Sequence, residues 1–286
     1  MLALTLLLIA QPIEIDWNKT PNQYWIGQDW HANRLQDWSV QNNRIVCTEV
    51  SERLPMRTLH LLTARPNTDF AMQVTTGAVD KTNEANSNSW SGFLLGTGSN
   101  KIDYRLTALT HHVPATNGGY IAGVDHEGFV FLRDNSIPVG GTSLWSINTK
   151  IQPEDVPLIA ATTLTGAGFT SESAPVLLKV SQTENTLTVS ATDASTTELL
   201  SQATYDITLQ TGGAVALVSH LGPMGSEAGH WFDDFSLSGD VTHFPERRFG
   251  PVLNTLYTVS GEVMKMTVQF PPLHGNLTAI LQFADH

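Results

Sequence analysis

Four of the seven tryptophans, Trp17, Trp25, Trp30 and Trp38, fall within the first 38 residues, interleaved with Asn18, Asn22, Gln23, Gln28, Asn33, Arg34 and Gln36. Planar rings beside amide and guanidinium groups are the equipment of a sugar-binding surface. The ring covers the apolar face of a sugar while amides bond its hydroxyls. Trp25, Trp30, Asn33 and Arg34 are the candidate ligand-binding residues of this segment. The same pattern has a packing reading, in which the segment wraps a sandwich, buries its tryptophans and pairs Arg34 with Asp37 or Glu49. Both readings stay open at the level of sequence.

Carboxylates offer two further chemistries. Asp233-Asp234 lies in an alternating run, and a structural calcium ion near Asp233 or Asp234 is a candidate, with Glu14 or Asp16 as neighbours if the first and last strands pair. Calcium takes about six to eight oxygens, so an adjacent pair supplies only part of a site. Strand alternation also sends the two side chains to opposite faces. A glycosidase-like mechanism needs two acids facing each other at a fixed separation. Glu127 and Asp103 are candidates by residue type alone.

Other constellations are weaker. Asp125-His126-Glu127 places three metal-ligand types together, but adjacent residues on a hairpin tip point apart, and a polar turn accounts for them. His111-His112 reads as a loop for the same reason. There is no Gly-x-Ser-x-Gly nucleophile elbow and no His-Glu-x-x-His. Cys47, the only cysteine, excludes an internal disulfide and sits in Ile45-Val46-Cys47, where a buried thiol is expected.

The elements that must position these residues are short, β-branched and separated by turns. Candidate strands are Arg44 to Val50, Leu59 to Thr63, Phe70 to Thr75, Gly92 to Gly96, Tyr120 to Val124, Phe129 to Leu132, Pro157 to Leu164, Pro175 to Ser181, Thr186 to Thr192, Tyr205 to Leu209, Ala214 to Ser219 and the run from Trp231 to Ser238. Two hairpins stand out, closed by Asp125-His126-Glu127-Gly128 and by Gln182-Thr183-Glu184-Asn185. No long segment holds a helical period. The expected architecture is all-β, an antiparallel two-sheet jelly-roll sandwich over residues 14–240. Residues 241–251, with two arginines and two prolines, suit a linker. Leu256 to Val259, Val263 to Gln269 and Asn276 to Phe283 then read as three strands, too few to close an immunoglobulin-like domain, so 252–286 is expected to be the start of one.

Composition bounds the partners. A chain of 286 residues with 27 acidic and 15 basic side chains has a formal net charge of -12 and no extended basic cluster. That charge removes the electrostatic drive toward nucleic acid or anionic lipid. Met1 to Ala10 is an apolar run of signal-peptide length, too short for a membrane span, although a basic n-region and an Ala-x-Ala site are missing. A clipped or divergent signal over residues 1–13 predicts a secreted or periplasmic protein.

From Leu59 to Gly239 the order of strands, ending in Trp231-Phe232-Asp233-Asp234-Phe235, resembles a concanavalin-like, laminin G-like jelly roll. Tyr24-Trp25-Ile26-Gly27, the string Trp30 to Trp38, and Asp103-Tyr104-Arg105 resemble the amino-terminal region of secreted bacterial proteins related to alkaline phosphatase D. In that group a lectin-like sandwich precedes an immunoglobulin-like domain and a metallophosphatase domain. The resemblance adds Tyr104 and Arg105 to the ligand-binding candidates. A binuclear metallophosphatase needs Asp, His and Asn ligands from several loops. No Gly-Asp followed by an Asn-His pair occurs here, so the resemblance implies that divalent metals and catalysis belong to a domain beyond this chain. Two expectations follow. One is a non-catalytic module that binds a glycan or cell-surface polymer, or serves as a spacer to downstream domains of the same polypeptide. The other is a carbohydrate-active enzyme with a carboxylate pair in the sandwich cleft.

Overall fold

The computed structural model describes residues 12–15, 17–49, 56–79, 89–110, 113–139, 155–168, 174–209, 212–220 and 229–275, and residues 278, 280 and 282. The expected signal segment and His111-His112 lie outside them, as does Asp16. In chain order the strands are β1 (Ile13–Ile15), β2 (Trp30–His31), β3 (Trp38–Gln41), β4 (Arg44–Cys47), β5 (Met56–Leu61), β6 (Ala64–Ala78) and β7 (Trp90–Thr97). After helix α1 (Tyr104–Thr110) come β8 (Tyr120–Asp125), β9 (Val130–Asp134), β10 (Thr163–Gly166), β11 (Val176–Thr183), β12 (Thr186–Asp193), β13 (Leu199–Asp206), β14 (Ala214–His220) and β15 (His230–His243). A last pair, β16 (Asn254–Ser260) and β17 (Val263–Gln269), stands in its own sheet.

Two antiparallel sheets form the sandwich. One has nine strands in the order β10-β13-β12-β11-β6-β15-β4-β3, with β1 also paired to β15; the other has six, ordered β2-β5-β14-β7-β8-β9. The period-2 pattern of each strand decides which side chains meet between them. On β11 Val176, Leu178 and Val180 point inward while Leu177, Lys179 and Ser181 point out. The core joins Met72, Val74, Leu178, Val189 and Leu237 of the large sheet to Leu59, Leu61, Phe93, Leu95 and Leu217 of the small one. Phe235 ties the layers directly. Its ring lies edge-on to Trp30 at 5.1 Å and packs against Phe93 at 6.4 Å.

Both predicted hairpins are present. β8 and β9 pair through Tyr120↔Asp134 to Val124↔Val130, and Asp125 accepts the backbone N–H groups of Glu127 and Phe129 across the turn. β11 and β12 pair through eight residues each. First and last strands are neighbours, with Glu14 opposite Ser236. Other boundaries move. The strand expected from Pro157 to Leu164 is replaced by β10 from Thr163, and the last sandwich strand runs on to His243. Helix α1 was not legible from periodicity, since seven residues make barely two turns. Asp103 starts it by accepting the N–H of Arg105. Of the three strands expected after the linker, two form β16 and β17, and the segment 276–283 lies largely outside the described residues.

Candidate functional site

The four tryptophans of the amino-terminal segment are interior. Trp17, Trp30 and Trp38 are 3%, 1% and 0% exposed, and Trp25 is 8% exposed. Trp30 is held between Trp17, 6.2 Å away, and Phe235, so neither of its faces is open to a sugar. Trp25 lies against Gly250, where an added methyl group would come within 3.1 Å of its ring. Arg34 donates to Asp37, at 2.6 Å from Nε, and the buried Arg57 donates to the same carboxylate at 2.6 Å. The sugar-binding expectation for Trp25, Trp30 and Arg34 is thereby corrected: their hydrophobic area and charge are consumed by packing and by a buried ion-pair network. Asn33 is exposed but has lost the aromatic partners that gave it meaning.

Tyr104 and Arg105 lie elsewhere on the molecule. Arg105 is bonded to Asp103, and this hydrogen bond holds the Asp103 carboxyl down to about 2. Arg247 stacks on Phe244 at 3.5 Å and on Tyr104 at 4.6 Å. The N–H of Phe249 donates to the carbonyl of Gln28, and its ring packs on His31 at 5.0 Å. Trp25 and Tyr104 therefore share one task, seating the segment from Phe244 to Gly250 on the sandwich.

Among the described residues the carboxylates proposed for calcium and for catalysis lie on separate elements. Asp233 accepts the N–H of Asp234 and lies 3.9 Å from Arg44, while Asp234 adopts φ +51° at an irregularity in the β15–β6 pairing. Asp233 thus offers one half-buried carboxylate at this point of β15, while Asp234 beside it is exposed. Asp29-Trp30-His31, an Asp-x-His string, is also structural. Asp29 accepts from the Thr63 hydroxyl at 2.8 Å and faces Arg248 at 3.5 Å, and His31 pairs across the strands with His60. Among the described residues no three His, Cys, Asp or Glu side chains gather to hold a metal ion. Glu127 sits exposed at the β8–β9 turn, and Asp103, already ionised and bonded to Arg105, precedes α1. Burial pushes the Cys47 thiol up to about 12, which leaves it protonated and unreactive.

The surface with the most consistent chemistry is the outward face of the nine-stranded sheet. Ser236 on β15 opposes Gln73 on β6, Gln73 opposes Lys179 on β11, Lys179 opposes Ser190 on β12, Ser190 opposes Gln202 on β13, and Gln202 opposes Thr165 on β10. Two residues along, a parallel row reads Ser238, Ala71, Ser181, Thr188, Thr204 and Thr163. Strands lie about 4.8 Å apart, so each row spans roughly 24 Å. Gln73, Ser181, Thr188, Ser190, Gln202, Ser236 and Ser238 are half-buried and line a shallow groove of about 350 Å³. Lys179 is the one charged side chain in the two rows. An ordinary soluble surface carries about a quarter to a third charged residues. The rows supply instead hydroxyls that donate and accept, and amides that do both. The signal was in the sequence as alternating Ser and Thr on several strands, but only the register reveals that they meet.

No family model matches the chain, and no curated protein matches it either. Solved structures do. The chain is similar to lectin II from Ulex europaeus, at 12% identity over 80% of this chain and 98% of that one, TM-score 0.48. It is also similar to the exoplasmic/lumenal domain of VIP36 in a Ca2+/Man2-bound form, at 12% identity over 85% and 90%, TM-score 0.47. A third is peanut lectin with a nine-residue peptide, at 14% identity over 82% and 99%, TM-score 0.46. The sandwich assignment itself rests on the strand pairing described above.

Proposed function

We propose that the chain is a non-catalytic binding module for a neutral glycan, and that the glycan lies in the groove of the nine-stranded sheet. One observation carries the reading: two cross-strand rows of hydroxyl and amide groups, half-buried, with a single charge in a protein of net charge -12. A neutral polyol can exchange its water hydrogen bonds for these groups one for one. A charged ligand would find one amine and no second partner in the rows. No carboxylate occupies either row, which speaks against the sandwich-cleft enzyme.

The natural ligand class is a cell-surface or extracellular polysaccharide, and a secreted or periplasmic location goes with it. Among the described residues no helix is long and apolar enough to cross a membrane. The phosphohydrolase parent stays with the resemblance that suggested it. The quoted strings Tyr24 to Gly27 and Trp30 to Trp38 are explained by packing, so they do not call for a phosphatase. Residues 14–243 form the module in this reading, and the segment after it joins the module to its neighbour.

The test is calorimetric titration with soluble gluco-, manno-, xylo- and galacto-oligosaccharides, comparing the wild type with a Gln73→Ala/Gln202→Ala double variant. We expect at least one series to bind and the double variant to bind it about tenfold more weakly, as lost hydrogen bonds of about 0.5–1.5 kcal/mol each imply. Its melting temperature should stay unchanged. Failure of every series to bind, or unchanged affinity in the double variant, would refute the reading.

A further inference from the structure

The edges of the sandwich are not treated alike. An edge strand presents unpaired N–H and C=O groups, and proteins ordinarily cover it, shorten it or give it charge. β3 is covered: Gln23 and Val40 exchange both backbone hydrogen bonds, at 3.0 and 2.8 Å. β9 is covered by a later segment, since Asp134 donates to the Pro157 carbonyl and Ile159 donates to the Leu132 carbonyl. β2 has two residues and is flanked by Phe249, and β1 has three and carries Glu14. β10 is the exception. It ends the nine-stranded sheet, all four of its residues are exposed, and among the described residues no strand or bridge pairs with its outer side.

β10 also lacks the usual guard of charge. From Val156 to Gly168 the chain has no charged residue, in a protein of net charge -12. Two copies can therefore meet at this edge without setting like charges against each other there. Leu164 adds an apolar contact. It shares a face with Ala203, its fully buried partner on β13, yet is itself 59% exposed. The last strand of the small sheet, β9, packs against β12 and β13, so β10 overhangs the core. The string Thr163-Leu164-Thr165 reads the same in both directions. An antiparallel strand pair admits a twofold axis, and a twofold interface must be complementary to itself. With the axis at Leu164, this leucine faces the copy's Leu164, and Thr163 faces the copy's Thr165. Opposed side chains on neighbouring strands have Cβ atoms about 5 Å apart, so the two leucines cover each other.

We propose that β10 pairs antiparallel with β10 of a second copy, about a twofold axis at Leu164, so that the two nine-stranded sheets become one. The pairing stands independently of any ligand. Its effect on the ligand rests on the glycan-groove reading: Thr165 ends the first polar row and Thr163 ends the second, so each row runs on into the other row of the copy. The polar track lengthens from roughly 24 Å to roughly 50 Å. Four paired residues bury far less than the ~1,200 Å² of a stable interface. The dimer is therefore weak, and a glycan long enough to lie across the joint strengthens it.

The experiment is sedimentation velocity on the full chain, over a concentration series reaching the near-millimolar range, for the wild type, Leu164→Lys, Leu164→Glu and Leu164→Cys. The wild type should pass from monomer to dimer as concentration rises. Leu164→Lys and Leu164→Glu should each stay monomeric with unchanged melting temperature, because the side chain they replace is exposed. Mixing the two in equal amounts should restore the dimer, because opposite charges then face each other across the axis. Leu164→Cys should form a disulfide-linked dimer under mild oxidation well before Leu199→Cys, which lies on β13 away from the edge; Cys47 is buried and takes no part. A wild type monomeric at every concentration, with no faster cross-linking at Leu164→Cys, would overturn the pairing and leave the edge to a strand of another protein. A dimer that Leu164→Lys leaves intact would overturn it as well. Where the dimer forms, oligosaccharides that span the joint should bind the wild type about tenfold more tightly than Leu164→Lys, and short ones equally. A dimer that binds no oligosaccharide would refute the groove and leave the pairing standing.

Discussion

The segment from Trp17 to Trp38 and the outward face of the nine-stranded sheet have exchanged the roles that residue type alone would give them. The first concentrates aromatic, amide and guanidinium groups within a short stretch, and its tryptophans are interior. The second is spread from Ala71 to Ser238 and is assembled only when six strands pair. Contiguity in sequence favoured packing, since neighbouring tryptophans can wrap one core. A surface needs every second residue from many strands, so its members are far apart in the chain.

The comparison breaks most readily at Trp30. Its ring is 1% exposed and touches Trp17 and Phe235. Trp30→Ala should therefore destabilise the fold by about 3–5 kcal/mol, measured by urea unfolding. The fraction that remains folded should bind any oligosaccharide with unchanged affinity. A stable Trp30→Ala protein with weakened sugar binding would return the tryptophan segment to the ligand-binding role.

A second test uses acid. His230 is buried, with Nδ1 3.0 Å from the Ser219 hydroxyl, and burial with the nearby His220 lowers its pKa from 6.5 to about 3. Below pH 6.5 the unfolded chain takes up a proton that the folded chain refuses. Stability is then full above pH 6.5 and falls as pH drops toward 3, by up to about 1.4 kcal/mol per pH unit for one such group. Burial lowers the pKa of His31 as well, which adds in the same direction. His230→Gln should flatten the slope between pH 4 and 6 in thermal melts. A slope unchanged by the substitution would mean that another group dominates acid unfolding. The groove holds no histidine in its rows, so sugar affinity of the folded protein should vary little over the same range.

These tests bear on what could be read before the strands were paired. The sandwich was legible because its strands alternate cleanly: Leu178-Lys179-Val180 and Leu187-Thr188-Val189 could only put their odd and even members on opposite faces. The closing strand from Trp231 was legible for the same reason, and so was the proximity of Glu14 to it. For Arg34 the sequence left Asp37 and Glu49 open as partners, and the fold pairs it with Asp37. Register was not legible. Nothing in Ser181, Thr188 or Thr204 singly says that they form a row, and nothing in Gly77 says that a tryptophan more than 150 positions away rests on it. Short elements were missed too. β2 has two residues and α1 seven, too few for a period to appear.

The smallest predicted effect separates neutral from acidic ligands. Lys179 stands in the middle of the first row between Gln73 and Ser190, and its amine is exposed. If the partner is a neutral glycan, the ammonium contributes at most a hydrogen bond that a glutamine can replace. Lys179→Gln should then change affinity by less than about twofold, and titrations in low and high salt should agree, because screening acts on charges and leaves neutral contacts alone. An acidic polysaccharide would behave oppositely. Its carboxylates or sulfates would gather at the one cation of the rows, so Lys179→Gln would cost most of the binding and added salt would weaken the wild type.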